Sequence, residues 1–267
     1  MRNHRYALLI LLAAVLSPLA ALQARSDCPV DLRCTDDARI AHAEAISLAE
    51  REGADSVLVV FDIDDTLLTM DQELGSHAWF TWQQELLDRD PASHALVAGN
   101  FGGLLAAQDL LYTLSRMHPP QPDLPALVED LQNRGIRLIA LTSRGHDLRD
   151  ATRRELLRNG YDLGRNPIAP RPGFVGDDPY LPYQPGNLAA RGLTGEGAAR
   201  FGLGSPRPVS YRNGIYLTAG QHKGAMLRSL LARTGRDFRA IVFLDDSEEK
   251  VRDMIDAFPP ASGRDGG

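Results

Sequence analysis

The chain has 267 residues, 43% hydrophobic and 24% charged, which fits a soluble globular protein and excludes wholesale disorder. That length accommodates one sizeable α/β domain with an insertion. A net charge of −6 excludes broad attraction to nucleic acid or to an anionic membrane, so any anion site must carry its own local positive charge.

At the N-terminus, Arg2, His4 and Arg5 precede an apolar run from Tyr6 to Leu16, and small residues then lead to Ala24. A basic start, a short apolar segment and an Ala-ended polar stretch are the parts of a secretory signal peptide. Residues 1–24 are therefore expected to be a signal peptide, leaving a mature chain 25–267 that is periplasmic or secreted and not membrane-bound. The alternative is an uncleaved anchor, although the run is shorter than the ~20 residues of a membrane span. The two cysteines, Cys28 and Cys34, lie just beyond the cut. In an oxidising compartment they can close a small loop; unpaired, they are two free thiols.

Thr35-Asp36-Asp37 can cap a helix reaching Glu52, with Ile40, Ala43, Ile46 and Leu48 as its apolar positions, and Gly53 ends it. Val57 to Phe61 is an unbroken apolar run, as expected of a strand buried on both faces, and it ends in Asp62-Ile63-Asp64-Asp65-Thr66. Residues 70–118 turn helical, with Trp79, Phe80 and Trp82 expected to bury one helical face; Pro119, Pro120 and Pro122 close the stretch. A helix from Leu124 to Arg134 precedes a strand from Ile136 to Leu141, which runs into Thr142-Ser143-Arg144 and a helix from Asp147 to Asn159. Residues 163–211 are rich in Gly and Pro and lack periodicity, which predicts a long surface excursion. Asn213-Gly214 between Val209-Ser210-Tyr211 and Ile215-Tyr216-Leu217 reads as a hairpin turn. A helix from Lys223 to Thr234 follows. The last strand, Ala240 to Leu244, ends in Asp245-Asp246 and leads into a helix through Phe258, and the tail from Pro259 is expected to be disordered.

Strands alternating with helices predict an α/β fold with a doubly wound, Rossmann-like parallel sheet. Ligands in such sheets gather at the carboxyl ends of the strands. Three strands end in polar clusters: Asp62/Asp64, Thr142/Ser143 and Asp245/Asp246. Four aspartates brought together cannot all stay ionised without a cation, and hard oxygen ligands favour Mg²⁺ over zinc. An attacking Asp can form an aspartyl-phosphate, and a second carboxylic acid two residues on can protonate the leaving oxygen and then activate water. Thr142 and Lys223, a hydroxyl at a strand end and an ammonium at a helix start, are suited to phosphate oxygens.

Asp62-Ile63-Asp64-Asp65-Thr66, Leu141-Thr142-Ser143-Arg144, Lys223 and Asp245-Asp246 resemble the four ordered motifs of haloacid dehalogenase (HAD) superfamily phosphatases, over roughly Val57 to Phe258. The resemblance implies that Asp62 is the nucleophile and a metal ligand. It makes Asp64 the general acid/base, with its backbone carbonyl on the metal, and has Thr66 hold the loop. Thr142, Ser143 and Lys223 become phosphate-binding residues, with Lys223 also steadying Asp62. Asp246 becomes the direct Mg²⁺ ligand, with Asp245 behind it. Core segments 36–69 and 119–258 would then carry a helical cap insertion at 70–118 and a second insertion at 163–211. Ser143 and Arg144 have an alternative use as caps of the following helix, and Arg144 as a substrate contact. His222 is expected to be a loop residue, and His77, His94, His118 and His146 have no metal-ligand spacing.

The expected activity is a Mg²⁺-dependent phosphomonoester hydrolase acting on a small phosphorylated molecule, with no nucleic-acid partner. A phosphotransferase on the same site and a catalytically silent HAD-fold binding module are the alternatives. A carbon–halogen hydrolase would leave Asp64, Asp245 and Asp246 without a role.

Overall fold

The computed structural model describes residues 6–12, 30–168, 178–195 and 198–258. The expected cut at Ala24, Cys28 and the tail from Pro259 lie outside the described residues; Cys34 is exposed.

In chain order the elements are β1 (Tyr6–Leu12), β2 (Val30–Thr35), α1 (Arg39–Glu52), β3 (Val57–Phe61), β4 (Thr69–Met70), α2 (His77–Arg89), α3 (Phe101–Leu114) and β5 (Met117–His118). Then come α4 (Leu124–Asn133), β6 (Arg137–Thr142), α5 (Arg149–Arg158), β7 (Ser210–Arg212), β8 (Ile215–Leu217), α6 (Lys223–Thr234), β9 (Ala240–Asp245) and α7 (Glu248–Ala257). The main sheet runs β2-β1-β9-β3-β6-β8-β7, with β9, β3, β6 and β8 mutually parallel. The protein is thus an α/β fold whose central sheet is mostly parallel and flanked by helices.

Strand alternation builds two cores, one on each face. Val57, Val59 and Phe61 of β3 pack with Ala45 and Leu48 of α1, Val128 and Leu131 of α4 and Leu156 of α5. Leu58 and Val60 pack with Met226, Leu227 and Leu230 of α6 and Val251 and Met254 of α7. On α1 the expected apolar face forms in part, with Leu48 buried and Ile46 packed against the core. Ile40 and Ala43 are exposed, while Ala41, Ala45 and Leu48 are buried, a narrow small-residue stripe that lets the helix lie close to the sheet.

Residues 6–12, within the segment expected to be the leader, form β1, antiparallel to both β2 and β9. Among the described residues no helix is long and apolar enough to cross a membrane. β4 and β5 form a separate antiparallel pair, and α2 and α3 lie on the chain between them. In α2, Trp82 is exposed and Trp79 and Phe80 only partly covered; the buried positions are Gln83 and Leu86, so the expected aromatic core of this segment is not formed. Gln83 ties down residues 95–97 instead, donating to the Ala95 carbonyl at 2.9 Å and accepting from the Val97 N–H at 3.0 Å.

The Asn213-Gly214 hairpin forms as read. Both residues have positive φ (51° and 72°), the two-residue turn whose twist matches antiparallel strands. The described part of the second insertion packs on the α6/α7 face through Ile168, Tyr183, Leu193 and Phe201.

Candidate functional site

Sequence order and spatial order diverge at β3. The chain steps from β3 outward to β6 and β8, then returns to place β9 on the other side of β3. Such a reversal splays the connecting loops apart and leaves a crevice at the carboxyl ends of the strands. Asp62 lies immediately after β3, Asp245 ends β9 and Asp246 follows it, so the carboxylates meet at that crevice. The Asp62 N–H donates to the Leu244 carbonyl at 2.8 Å and extends the β3–β9 pairing to the motif itself.

Lys223, the first residue of α6, is buried and donates to Asp62 Oδ1 and to Asp245 Oδ2, both at 2.6 Å. Burial favours the neutral amine, but Asp245 and Asp62 outweigh it and raise the lysine above its usual range, so it stays charged. A cation at a helix N-terminus opposes the helix dipole; this one is held by two carboxylates instead. Gly224 makes the approach possible. A Cβ there would lie 2.2 Å from the Asp253 carbonyl oxygen on α7.

Asp245 has both oxygens engaged, since Oδ1 accepts from the Ser247 N–H at 2.9 Å. Asp62 keeps Oδ2 free of hydrogen bonds among the described residues, and burial pushes its carboxyl well up, against the pull of Lys223. Asp246 opens toward solvent, yet partial burial, together with crowding beside Asp245, Asp65 and Asp64, pushes it up to about 7. Carboxylate oxygens of Asp62, Asp245 and Asp246 lie within 4.8 Å of one another, a spacing suited to one shared metal ion.

Asp64 faces the other way. Arg144 grips it with two hydrogen bonds, Nη2 to Oδ1 at 2.7 Å and Nε to Oδ2 at 3.1 Å, and Nη1 donates to Thr152 Oγ1 at 2.9 Å. Tyr112 on α3 lies beside Asp64 and favours its ionised form, and its ring lies 4.5 Å from the Arg144 guanidinium carbon. Burial pushes the Asp64 carboxyl up, but Arg144 and Tyr112 prevail and hold it below the usual carboxylate range. With all four carboxylates (Asp62, Asp64, Asp245, Asp246) ionised, Arg144 and Lys223 would leave two negative charges uncompensated, which a divalent cation would balance.

Above these residues lies a cleft of about 260 Å³. Its floor includes Asp62, Asp64, Ser143, Arg144, Lys223, Asp245 and Asp246, and its roof comes from α2 and α3. Ser143 is exposed to it. Thr142 lies beneath, with its hydroxyl 3.4 Å from Asp64 Oδ2 and accepting from the Arg144 N–H at 3.3 Å. No described residue of the second insertion lines the cleft. The helix-capping use of Ser143 and Arg144 is not seen, because α5 has no side-chain cap. The Thr66 hydroxyl is buried without a partner among the described residues. The loop is held instead by backbone bonds of Leu67 and Leu68 to the Ile63 carbonyl and by Thr69 donating to Asp65 at 2.6 Å. Asp65 adopts a left-handed φ of 56°, which turns the chain sharply after Asp64. His222 is not a plain loop residue: it caps α6, accepting at Nδ1 from the Ala225 N–H at 3.1 Å.

Tyr112 carried no motif and was missed in sequence, because which face of α3 looks down on the cleft is set by packing.

Fold and site together define an α/β protein with an acidic, lysine-bridged crevice at its strand ends. The chain belongs to the family described as "Protein of unknown function (DUF2608)", which matches residues 39–262 and so spans both the crevice and the helices above it. Comparison with curated proteins and with solved structures gives no match.

Proposed function

We propose that this protein is a Mg²⁺-dependent phosphomonoester hydrolase with a Rossmann-like fold of the haloacid dehalogenase type, working through an aspartyl-phosphate on Asp62. The observation that carries the proposal is the buried Asp62–Lys223–Asp245 bridge beside Asp246 at the crevice, which leaves one Asp62 oxygen open to the cleft. A Mg²⁺ ion would be held by Asp62, Asp246 and the Asp64 backbone carbonyl, with Asp245 orienting Lys223 from behind; it would screen the repulsion between an incoming phosphate and the carboxylates.

In the first step Asp62 Oδ2 bonds to phosphorus while the ester P–O bond breaks, and the leaving oxygen takes a proton from Asp64. In the second, Asp64 takes a proton from water, whose oxygen attacks phosphorus and frees the Asp62 carboxylate with inorganic phosphate. Donation by Asp64 requires its ion pair with Arg144 to open, because the pair keeps the carboxyl ionised. The substrate phosphate, an anion with the same fork geometry, is suited to take Arg144 in exchange. Lys223 and Ser143 supply further donors, with Thr142 supporting from below. Residues 70–118 act as the cap that excludes water, and the substrate is a small phosphorylated molecule rather than nucleic acid.

The test is release of phosphate from an aryl phosphate by the purified protein. Turnover is expected with Mg²⁺, is abolished by excess chelator and returns on adding Mg²⁺; Asp62→Asn is expected to lose at least a thousandfold, about 4 kcal/mol of barrier. Undiminished turnover in chelator or in Asp62→Asn would sink the proposal.

A further inference from the structure

α3 is an apolar helix over most of its length, from Phe101-Gly102-Gly103-Leu104-Leu105-Ala106-Ala107 to Leu110-Leu111 and Leu114. Gln108 and Asp109 interrupt it, and both line the cleft, as do Leu105 and Tyr112, the four together occupying positions i, i+3, i+4 and i+7 of one helical face. Neither Gln108 nor Asp109 has a side-chain hydrogen bond or ion pair among the described residues. Gln108 is only 8% exposed, and its amide reaches solvent through the cleft that it lines. Such a group exchanges cleft water for a substrate group that can bond to it, and loses that bond to one that cannot. Asp109 places a further carboxylate across from an already acidic floor, where half-burial and then Asp147 push it up against the pull of Arg144. Neither residue is needed to pack an apolar helix face.

Resting on the phosphatase reading above, we propose that Gln108 and Asp109 recognise the alcohol half of the substrate, and that this half bears hydrogen-bond donors, either hydroxyls or an ammonium. With the phosphoryl group at Asp62, the rest of a small ester extends from the floor toward α3. There a carboxylate and an amide oxygen accept from its donors, while Phe80 and Leu148 cover its carbon skeleton. A leaving group without donors leaves both polar side chains unsatisfied. Sites built to bond a substrate donor discriminate strongly against analogues that lack it.

The experiment compares kcat/KM of the Mg²⁺-loaded protein for glycerol phosphate, phosphoethanolamine, phosphocholine and an aryl phosphate. Preference for the first two over phosphocholine by tenfold or more is expected, and which of the two leads distinguishes hydroxyl from ammonium recognition. Asp109→Asn and, separately, Gln108→Leu are expected to reduce that preference at least tenfold, chiefly through KM. Equal treatment of all four esters alongside good aryl phosphate turnover, or variants that keep the wild-type preference, would overturn this proposal and leave the phosphatase reading standing. No turnover of any ester, aryl phosphate included, would overturn both.

Discussion

At the Asp246 carboxyl, burial and the neighbouring Asp245, Asp65 and Asp64 raise proton affinity until half the groups are protonated near pH 7. A metal ion needs the ionised form, so binding there displaces a proton. Mg²⁺ affinity is therefore expected to weaken as pH falls below 7, by up to tenfold per pH unit, and to level off above it. Calorimetric titration at pH 5.5, 6.5 and 7.5 measures this, and Asp246→Asn should bind more weakly at all three; an affinity constant over that range would contradict the assignment. The acidic residues were legible from sequence because each ends a strand, and strand ends meet in a parallel sheet. The grip of Arg144 on Asp64 was not, because it depends on which way a long side chain turns. Likewise, the burial of Thr142 below the cleft and the emergence of Ser143 into it follow from strand pleat at one residue's resolution.

Among the elements, α6 aims Lys223 only because Gly224 lets its first turn lie against α7. In Gly224→Ala the added Cβ would sit 2.2 Å from the Asp253 carbonyl oxygen and 2.5 Å from Ala257 Cβ, so the helix start must retreat. Overpacking of this kind costs about 1–3 kcal/mol. The variant is expected to lose stability in that range in denaturant melts, together with turnover, as Lys223 withdraws from Asp62; wild-type stability would show that the contact is not tight. β3 and the Asn213-Gly214 hairpin were readable because an apolar run and a turn dipeptide are local signals. The buried face of α1 was legible at Leu48 and Ile46 but not at Ala41 and Ala45, because alanines are weak in any hydrophobic pattern. The roof over the cleft was readable as helical but not as polar where it faces the site, since that requires knowing which turn of α3 looks down.

For the molecule as a whole, residues 6–12 carry two incompatible assignments: leader by composition, and strand β1 between β2 and β9 by structure. A segment removed on export cannot be a strand of the mature sheet. We propose export to the periplasm or medium with cleavage at Ala24, which leaves β9 as an edge and β2 without its partner β1. N-terminal sequencing of the native protein is expected to begin near Arg25; a retained Met1 would favour β1 as part of the working fold. The central claim, that Asp62 forms the phosphoenzyme, rests on the convergence of three chain segments around one carboxylate. Its most direct test uses Asp64→Asn, which retains an acceptor for Arg144 and leaves the nucleophile intact, but has no proton to donate and no base for water. Mixed with Mg²⁺ and an aryl phosphate, whose leaving group needs little protonation, this variant should accumulate phosphate on Asp62, seen by mass spectrometry of its peptides. Label on a serine or histidine, or no label while an aryl alcohol is released in a stoichiometric burst, would contradict the account.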